Sequence, residues 1–277
     1  MKAAVSCVHF RSKRERRRLA AVLGQDEFVS SCVVALRRDG HVSADALIEP
    51  SLLAELAADG DHRLARVRDL EKAPGADWTM KKTFWTRMLD AEAQAGFSTD
   101  SVFVRFALQP RILQLVSGAL GVELPTLSYV LLTLSQHSAE PLAVSQLWHR
   151  DHDDTRVIKL FTYLTDVIDG QDGPLTFLPG QPSDRIGFSL RSHRPDNQIF
   201  QRADRSAVRV MTAPRLSTFL LETSRCYHMG SRMAPGHQRL MFTATYVSAP
   251  SMYPRRAPAF RASGPLDRAT SLVVGLA

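Results

Sequence analysis

The stretch Ser145–Asp154, SQLWHRDHDD, places an imidazole and a carboxylate two residues apart at His149 and Asp151. On an extended chain side chains alternate with a period of two, so both would project from one face and could bind one metal ion from one strand. HxD pairs occur by chance in many proteins, and this one needs a third ligand from elsewhere in the fold. His228, in TSRCYHMGSR, offers it, with His237 and His193 as the other histidines that could complete the set. Two histidines and one carboxylate form the facial triad of non-haem iron(II) sites, which leaves the opposite face of the metal open. His152 and Asp154 repeat the spacing three residues later, but that frame puts His152 on the other face. His237 lies in the turn PGHQ and is expected at the surface.

Other residues near these motifs have plainer readings. Trp148 could line a pocket, though packing between sheets is the commoner fate of a strand tryptophan. Cys226 reads as a small buried filler two residues before His228. Lys81, Lys82, Trp85 and Arg87, in KKTFWTR, suit either the mouth of a site or a solvated helix start.

The elements that must position these groups read as helices first and strands later. Residues 11–21 are charged and helix-compatible. Pro50 and Ser51 open LLAELAADGDHRLARVRDL, with Leu52, Leu53 and Leu56 at helical spacing and a break expected at Gly60. A second helix is expected from Thr83 to Ala93, and a third from Pro110 to a stop at Gly121, with Pro125 beyond. After Pro125 the period falls to about 2. Strands are expected near 127–135, 144–151, 156–167, 174–178, 207–211, 217–222, 226–229 and 239–248, and a long loop over 181–205. Strands of this length following helices predict an antiparallel sandwich or barrel with helices outside one sheet.

Composition narrows the class. The 277 residues are 44% hydrophobic and 23% charged, which supports a sizeable core and excludes collagen-like or wholly disordered chains. No apolar run approaches the roughly 20 residues that a spanning helix needs, so a soluble protein is expected. The net charge of +7 misleads: residues 1–20 hold seven basic side chains against Glu15, a local +6, and the other 257 residues carry +1. The high charge reports an N-terminal arm, read as a solvated helix, and not a nucleic-acid-binding face. Three scattered cysteines make neither a disulfide framework nor a cysteine zinc site, and a cytoplasmic location is expected.

In content, order and spacing, WHRD, KLFTYLTDV, GPLTFLPG, YHMGSR and QRLMFTATYVS resemble the phytanoyl-CoA dioxygenase family, and RRDGHVSADALIEPSLLAEL is similar to its N-terminal strand and helix. The resemblance covers roughly residues 35–250. It implies a mainly β fold with flanking helices around a double-stranded β-helix (jelly-roll, cupin-like) core, with iron(II) and 2-oxoglutarate as cofactors. It matches His149 and Asp151 to the HxD pair, His228 to the distal histidine, and Arg239 to the arginine that holds 2-oxoglutarate. Arg239 suits that role chemically, since a guanidinium offers a carboxylate two parallel charge-assisted hydrogen bonds. Thr162 could add a hydroxyl contact to the same cosubstrate. The chain departs from some members in having Gly230, with Ser231 one further on, where they have a hydroxyl residue two positions after the distal histidine. Three units follow: a basic arm over 1–30, the dioxygenase-like domain with its helical N-terminal part over 31–250, and an extension over 251–277. The activity implied is a dioxygenase, foremost a hydroxylase, acting with dioxygen on a small molecule and releasing succinate and CO2. Desaturation, ring closure and epoxidation use the same oxidant. The rival from another class is a non-catalytic β-barrel module that binds metal or a small acid and docks through its basic arm.

Overall fold

Strand propensity in the second half of the chain is spent on three long runs that pair side by side. The computed structural model describes residues 10–24, 26–71, 84–187, 192–249, 251 and 259–276. Its strands are β1 (His41–Ser43), β2 (Trp85–Arg87), β3 (Phe97–Ser98), β4 (Thr126–Gln136), β5 (Trp148–His149), β6 (Val157–Tyr163), β7 (Leu175–Phe177), β8 (His193–Arg194), β9 (Arg209–Met211), β10 (Thr218–Leu221), β11 (His228–Met229), β12 (Gln238–Val247) and β13 (Phe260–Arg261). A six-stranded sheet in the order β1-β10-β6-β12-β4-β2 and a five-stranded sheet in the order β8-β5-β11-β7-β9 are each antiparallel throughout. With helices packed on the outer face of the larger sheet, this is the mainly β, double-stranded β-helix architecture expected.

The larger sheet has two buried faces, and alternation sorts its side chains between them. Leu132 and Leu134 of β4, Ile158 and Leu160 of β6, and Leu240, Phe242 and Ala244 of β12 join the helices in the main core. The intervening Thr133, Ser135, Lys159, Phe161, Arg239, Met241 and Thr243 line a cavity between the sheets. The register of β12 against β4 shifts between Thr245 and Tyr246, which pair with Tyr129 and Leu127 and leave Ser128 as an extra residue.

The helices follow local signals. Asp26 accepts the Val29 amide and caps helix Glu27–Asp39, while Gly121 closes helix Pro110–Leu120 with a φ of 105°. Helix Pro50–Glu71 does not break at Gly60. A Cβ there would stand 2.8 Å from Leu164 Cδ1 and 3.4 Å from Leu240 Cδ2, so the glycine lets the helix approach the sheet. Two further expectations are corrected. The stretch expected as a helix to Ala93 holds edge strand β2 and then helix Asp90–Ala95, because the aromatic and β-branched residues of FWT complete the free edge of β4; Lys81, Lys82 and Thr83 lie outside the described residues. The stretch 181–205, expected as a loop, carries most of helix Gly180–Ile186, then β8 and helix Asp196–Phe200, with Ile186 and Ile199 anchored in a small core behind the second sheet.

The basic arm differs as well. Helix Phe10–Leu23 packs on helices Pro110–Leu120 and Arg268–Val274, and Arg16 is buried at 8% exposure. Its guanidinium donates to the carbonyls of Leu124, Pro125 and Leu272, which ties the two ends of the described chain together. Burial pulls its pKa down to about 10. Arg17, by contrast, is itself largely exposed where it pairs with the buried Glu123. Arg16→Ala should therefore destabilise the protein by roughly 2–4 kcal/mol and Arg17→Ala by about 0.5 kcal/mol or less, as read by equilibrium denaturation. Equal effects would show that this helix is not held by Arg16.

Candidate metal centre

Two very short strands carry the two histidines. β5 and β11 pair through His149 and His228 themselves, so their rings stand side by side with centroids 4.2 Å apart. Each ring is fixed in the same way, by the carbonyl two residues upstream: His149 Nδ1 lies 2.9 Å from the Leu147 oxygen and His228 Nδ1 3.0 Å from the Cys226 oxygen. A carbonyl only accepts, so both Nδ1 atoms carry the proton and both Nε2 atoms present a lone pair inward.

Asp151 meets them there, but not from a strand. The expected strand 144–151 is reduced to Trp148–His149, preceded by a helical turn over Val144–Gln146, and the Asp151 amide is held instead by the Thr223 carbonyl at 3.0 Å. The carboxylate oxygens lie 3.9 Å from His149 Nε2 and 3.7 Å from His228 Nε2, and one donor atom from each residue falls within 4.8 Å of the others. Burial pulls the His228 pKa down to about 3 and lowers that of His149, leaving both imidazoles neutral, the form that ligates metal. Burial alone would raise the Asp151 carboxyl. Lys159, with Nζ 2.8 Å from Asp151 Oδ2, and the two histidines hold it well below the usual range.

A cavity of about 290 Å³ opens beside the cluster, and Arg239 forms part of its wall. At 2% exposure this guanidinium donates to the Gly173 carbonyl and, at 3.0 Å, to Ser231 Oγ, which also bonds Ser135 Oγ at 2.9 Å. Arg239 Nε is buried with no hydrogen-bond partner among the described residues. The hydroxyl absent at position 230 is supplied by Ser231, whose φ of 60° turns it onto Arg239. A Cβ on Gly230 would make ordinary van der Waals contact with Arg239 Nη1 at 3.6 Å.

Thr162 is placed elsewhere. It shares the outer face of β6 with Ile158 and Leu160, is fully buried, and bonds Thr218 Oγ1 at 3.0 Å, so its hydroxyl does not reach the cavity. His237 pairs with Asp172 at 2.8 Å, and Asp154 caps its own turn through the Thr155 amide and hydroxyl. His193, cross-strand from His149, stacks 5.3 Å from its ring without joining the donor cluster. Trp148 is core, its Nε1 on Asp196, and Cys226 is fully buried, its thiol pushed up to about 12 by burial. Trp85 and Arg87 line the cavity. Sequence reasoning missed Lys159; its signal was a lysine inside an otherwise apolar strand, VIKLFTY.

No family model matches the chain, and no curated protein shows significant similarity to it. Solved structures do. The epimerase SnoN in complex with Fe3+, alpha ketoglutarate and nogalamycin RO superposes with a TM-score of 0.57 at 18% identity, over 82% of this chain and 86% of that one. The non-heme alpha ketoglutarate dependent carbocyclase SnoK from nogalamycin biosynthesis gives 0.53 at 14% identity, over 83% and 87%. EctD from S. alaskensis with bound Fe gives 0.52 at 15%, over 84% and 80%. Identities this low show a shared fold, and the fold is one that serves iron- and 2-oxoglutarate-dependent enzymes.

Proposed function

We propose that the protein is an iron(II)- and 2-oxoglutarate-dependent dioxygenase of the phytanoyl-CoA dioxygenase type that hydroxylates a small molecule. One observation carries the reading: two neutral imidazoles aim their lone pairs at a buried carboxylate, and the same cavity holds a buried arginine with an unpartnered Nε. The donor set suits iron(II), and the orphaned guanidinium edge suits a carboxylate arriving from outside the chain. That the similar structures include enzymes with iron and alpha ketoglutarate bound supports it further.

His149, Asp151 and His228 would hold the metal, and Arg239 with Ser231 the far carboxylate of 2-oxoglutarate. When bound, the pair supplies oxidising power by coupling dioxygen reduction to decarboxylation of 2-oxoglutarate to succinate and CO2. The chain's own work is positional. The upstream carbonyls keep both imidazoles in one tautomer, Ser231 steadies Arg239, and Leu131, Phe161, Leu175 and Met241 wall the cavity with apolar surface that orients substrate and excludes water. Among the described residues no helix is long and apolar enough to cross a membrane, and a reducing cytosol suits the free, buried thiols of Cys32 and Cys226.

Anaerobic addition of iron(II) and 2-oxoglutarate should produce a weak visible charge-transfer band, lost in His149→Ala and in His228→Ala. Arg239→Met should keep iron but bind 2-oxoglutarate roughly 10- to 100-fold more weakly, the worth of a charged hydrogen-bonded clamp. A wild-type band in both histidine variants would remove those residues from the metal, and binding without succinate formation in air would favour the non-catalytic module. Because Asp151 occupies the position that chloride would need, turnover in excess chloride should yield oxygenated or desaturated products; halogenated ones by mass spectrometry would overturn the hydroxylase assignment.

A further inference from the structure

Lys159 supports Asp151, but the function proposed above gives it no contact with substrate. It lies on β6 opposite Thr245, with Nζ 2.8 Å from Asp151 Oδ2 and 5.6 Å from the centroid of the Tyr129 ring. Tyr129 in turn donates at 3.0 Å to Asp153, an exposed carboxylate on this side. The described residues lining the cavity include three cations, Arg87, Lys159 and Arg239, and no carboxylate; Asp151 stands directly behind Lys159.

In the metal-free protein Asp151 balances Lys159. Loading keeps the total and moves the excess. The iron dication and the 2-oxoglutarate dianion cancel, so Asp151, Lys159 and Arg239 sum to +1 before and after; the far carboxylate would meet Arg239 and Asp151 would turn to the metal, so the unmatched charge passes from Arg239 to Lys159, while the exposed Arg87 is screened by solvent. A desolvated cation without a counter-charge is unfavourable, so the loaded cavity has a place for one negative charge. Its position follows from the register: Lys159 lies opposite Thr245 and Arg239 six residues earlier on β12, so the two cations enter the cavity from different rungs of the sheet. An ammonium has three donors, and with one turned to Asp151 two remain.

We propose that Lys159 anchors the substrate, which carries a single carboxylate held by the Lys159 ammonium above the Tyr129 ring while its apolar body lies along Leu131 and Phe161. The inference rests on the iron and 2-oxoglutarate reading and deepens it to a substrate class, apolar monocarboxylates. A point charge needing one counter-charge suits a carboxylate better than a dianionic phosphate.

The test uses the full chain, loaded anaerobically with iron(II) and 2-oxoglutarate and checked first for the charge-transfer band. Hexanoate and its neutral isostere hexanamide are then titrated calorimetrically. Hexanoate should bind about 10-fold or more tightly than hexanamide while the band persists, as expected for a charge-assisted contact. Lys159→Met should bring the two affinities together, and Lys159→Arg should restore the preference. Lys159→Gln, which removes the charge but leaves an amide donor facing Asp151, should also lose the preference while retaining iron, and so separates anchoring from support of the metal site. Equal affinities in the wild type, displacement of 2-oxoglutarate by hexanoate, or an unchanged preference in Lys159→Gln would each overturn the proposal. Failure of the wild type to form the band would instead overturn the iron and 2-oxoglutarate reading on which it rests.

Discussion

The period-two pairing of β4, β12 and β6 is the constraint on which the rest of the molecule depends. Each strand is buried on both faces, so each must send apolar side chains toward the helices and, at alternate positions, a chosen set of polar ones into the cavity. Leu240, Phe242 and Ala244 face the helices; Arg239, Met241 and Thr243, interleaved with them, face inward. A slip of one residue would drive Arg239 into the helical core and expose leucines to the cavity, a double penalty that makes the register highly specific. The extra residue at Ser128 serves the same end, since it keeps Leu127 in the main core while Tyr129 stays on the cavity wall.

That sorting lets charge be buried where it is useful. Asp151 would be costly among neutral imidazoles in a desolvated pocket, and it stays ionised because Lys159 is carried to it by β6. Lys159 thus holds a metal-competent carboxylate in place before any metal arrives, and the carbonyls of Leu147 and Cys226 do the same for the histidines. The geometry is pre-organised by the fold's own hydrogen bonds, which lowers the entropic cost of binding.

What the sequence reveals, and what it hides, follows the same physics. Most of the strands are legible because alternation and turn residues are local signals; the trio His149, Asp151 and His228 is legible from the HxD spacing and the family resemblance, since Asp151 lies off the strand that alternation predicts. Which face of β6 Thr162 takes is not legible, because VIKLFTY is buried on both faces and hydrophobicity carries no phase from which to read direction. Arg16 looks like every other arginine of its helix, and only the carbonyls of Leu124, Pro125 and Leu272, more than a hundred residues away, distinguish it. Gly60 resembles a helix breaker until Leu164 and Leu240 are seen against it. In each case the missing information is the identity of a distant neighbour.

The histidine strands make the same point most sharply, since each is two residues long and a single ladder pair joins them to one another, too little to hold metal-ligand geometry. The hold comes from side chains that cross between segments. Asp196, at the start of a short helix, accepts from Trp148 Nε1 at 2.9 Å and from both terminal nitrogens of Arg232 at 2.9 and 2.7 Å, while Arg232 Nε donates to the Gln146 carbonyl at 2.7 Å. One carboxylate thereby joins the residue before His149 to a residue four beyond His228, and Arg232 closes the ring onto the segment leading into β5. A bidentate guanidinium pair fixes orientation as well as distance. The region 181–205, which has the composition of a loop, delivers that carboxylate. Its folding onto the second sheet is what allows two strands of two residues each to act as a rigid platform.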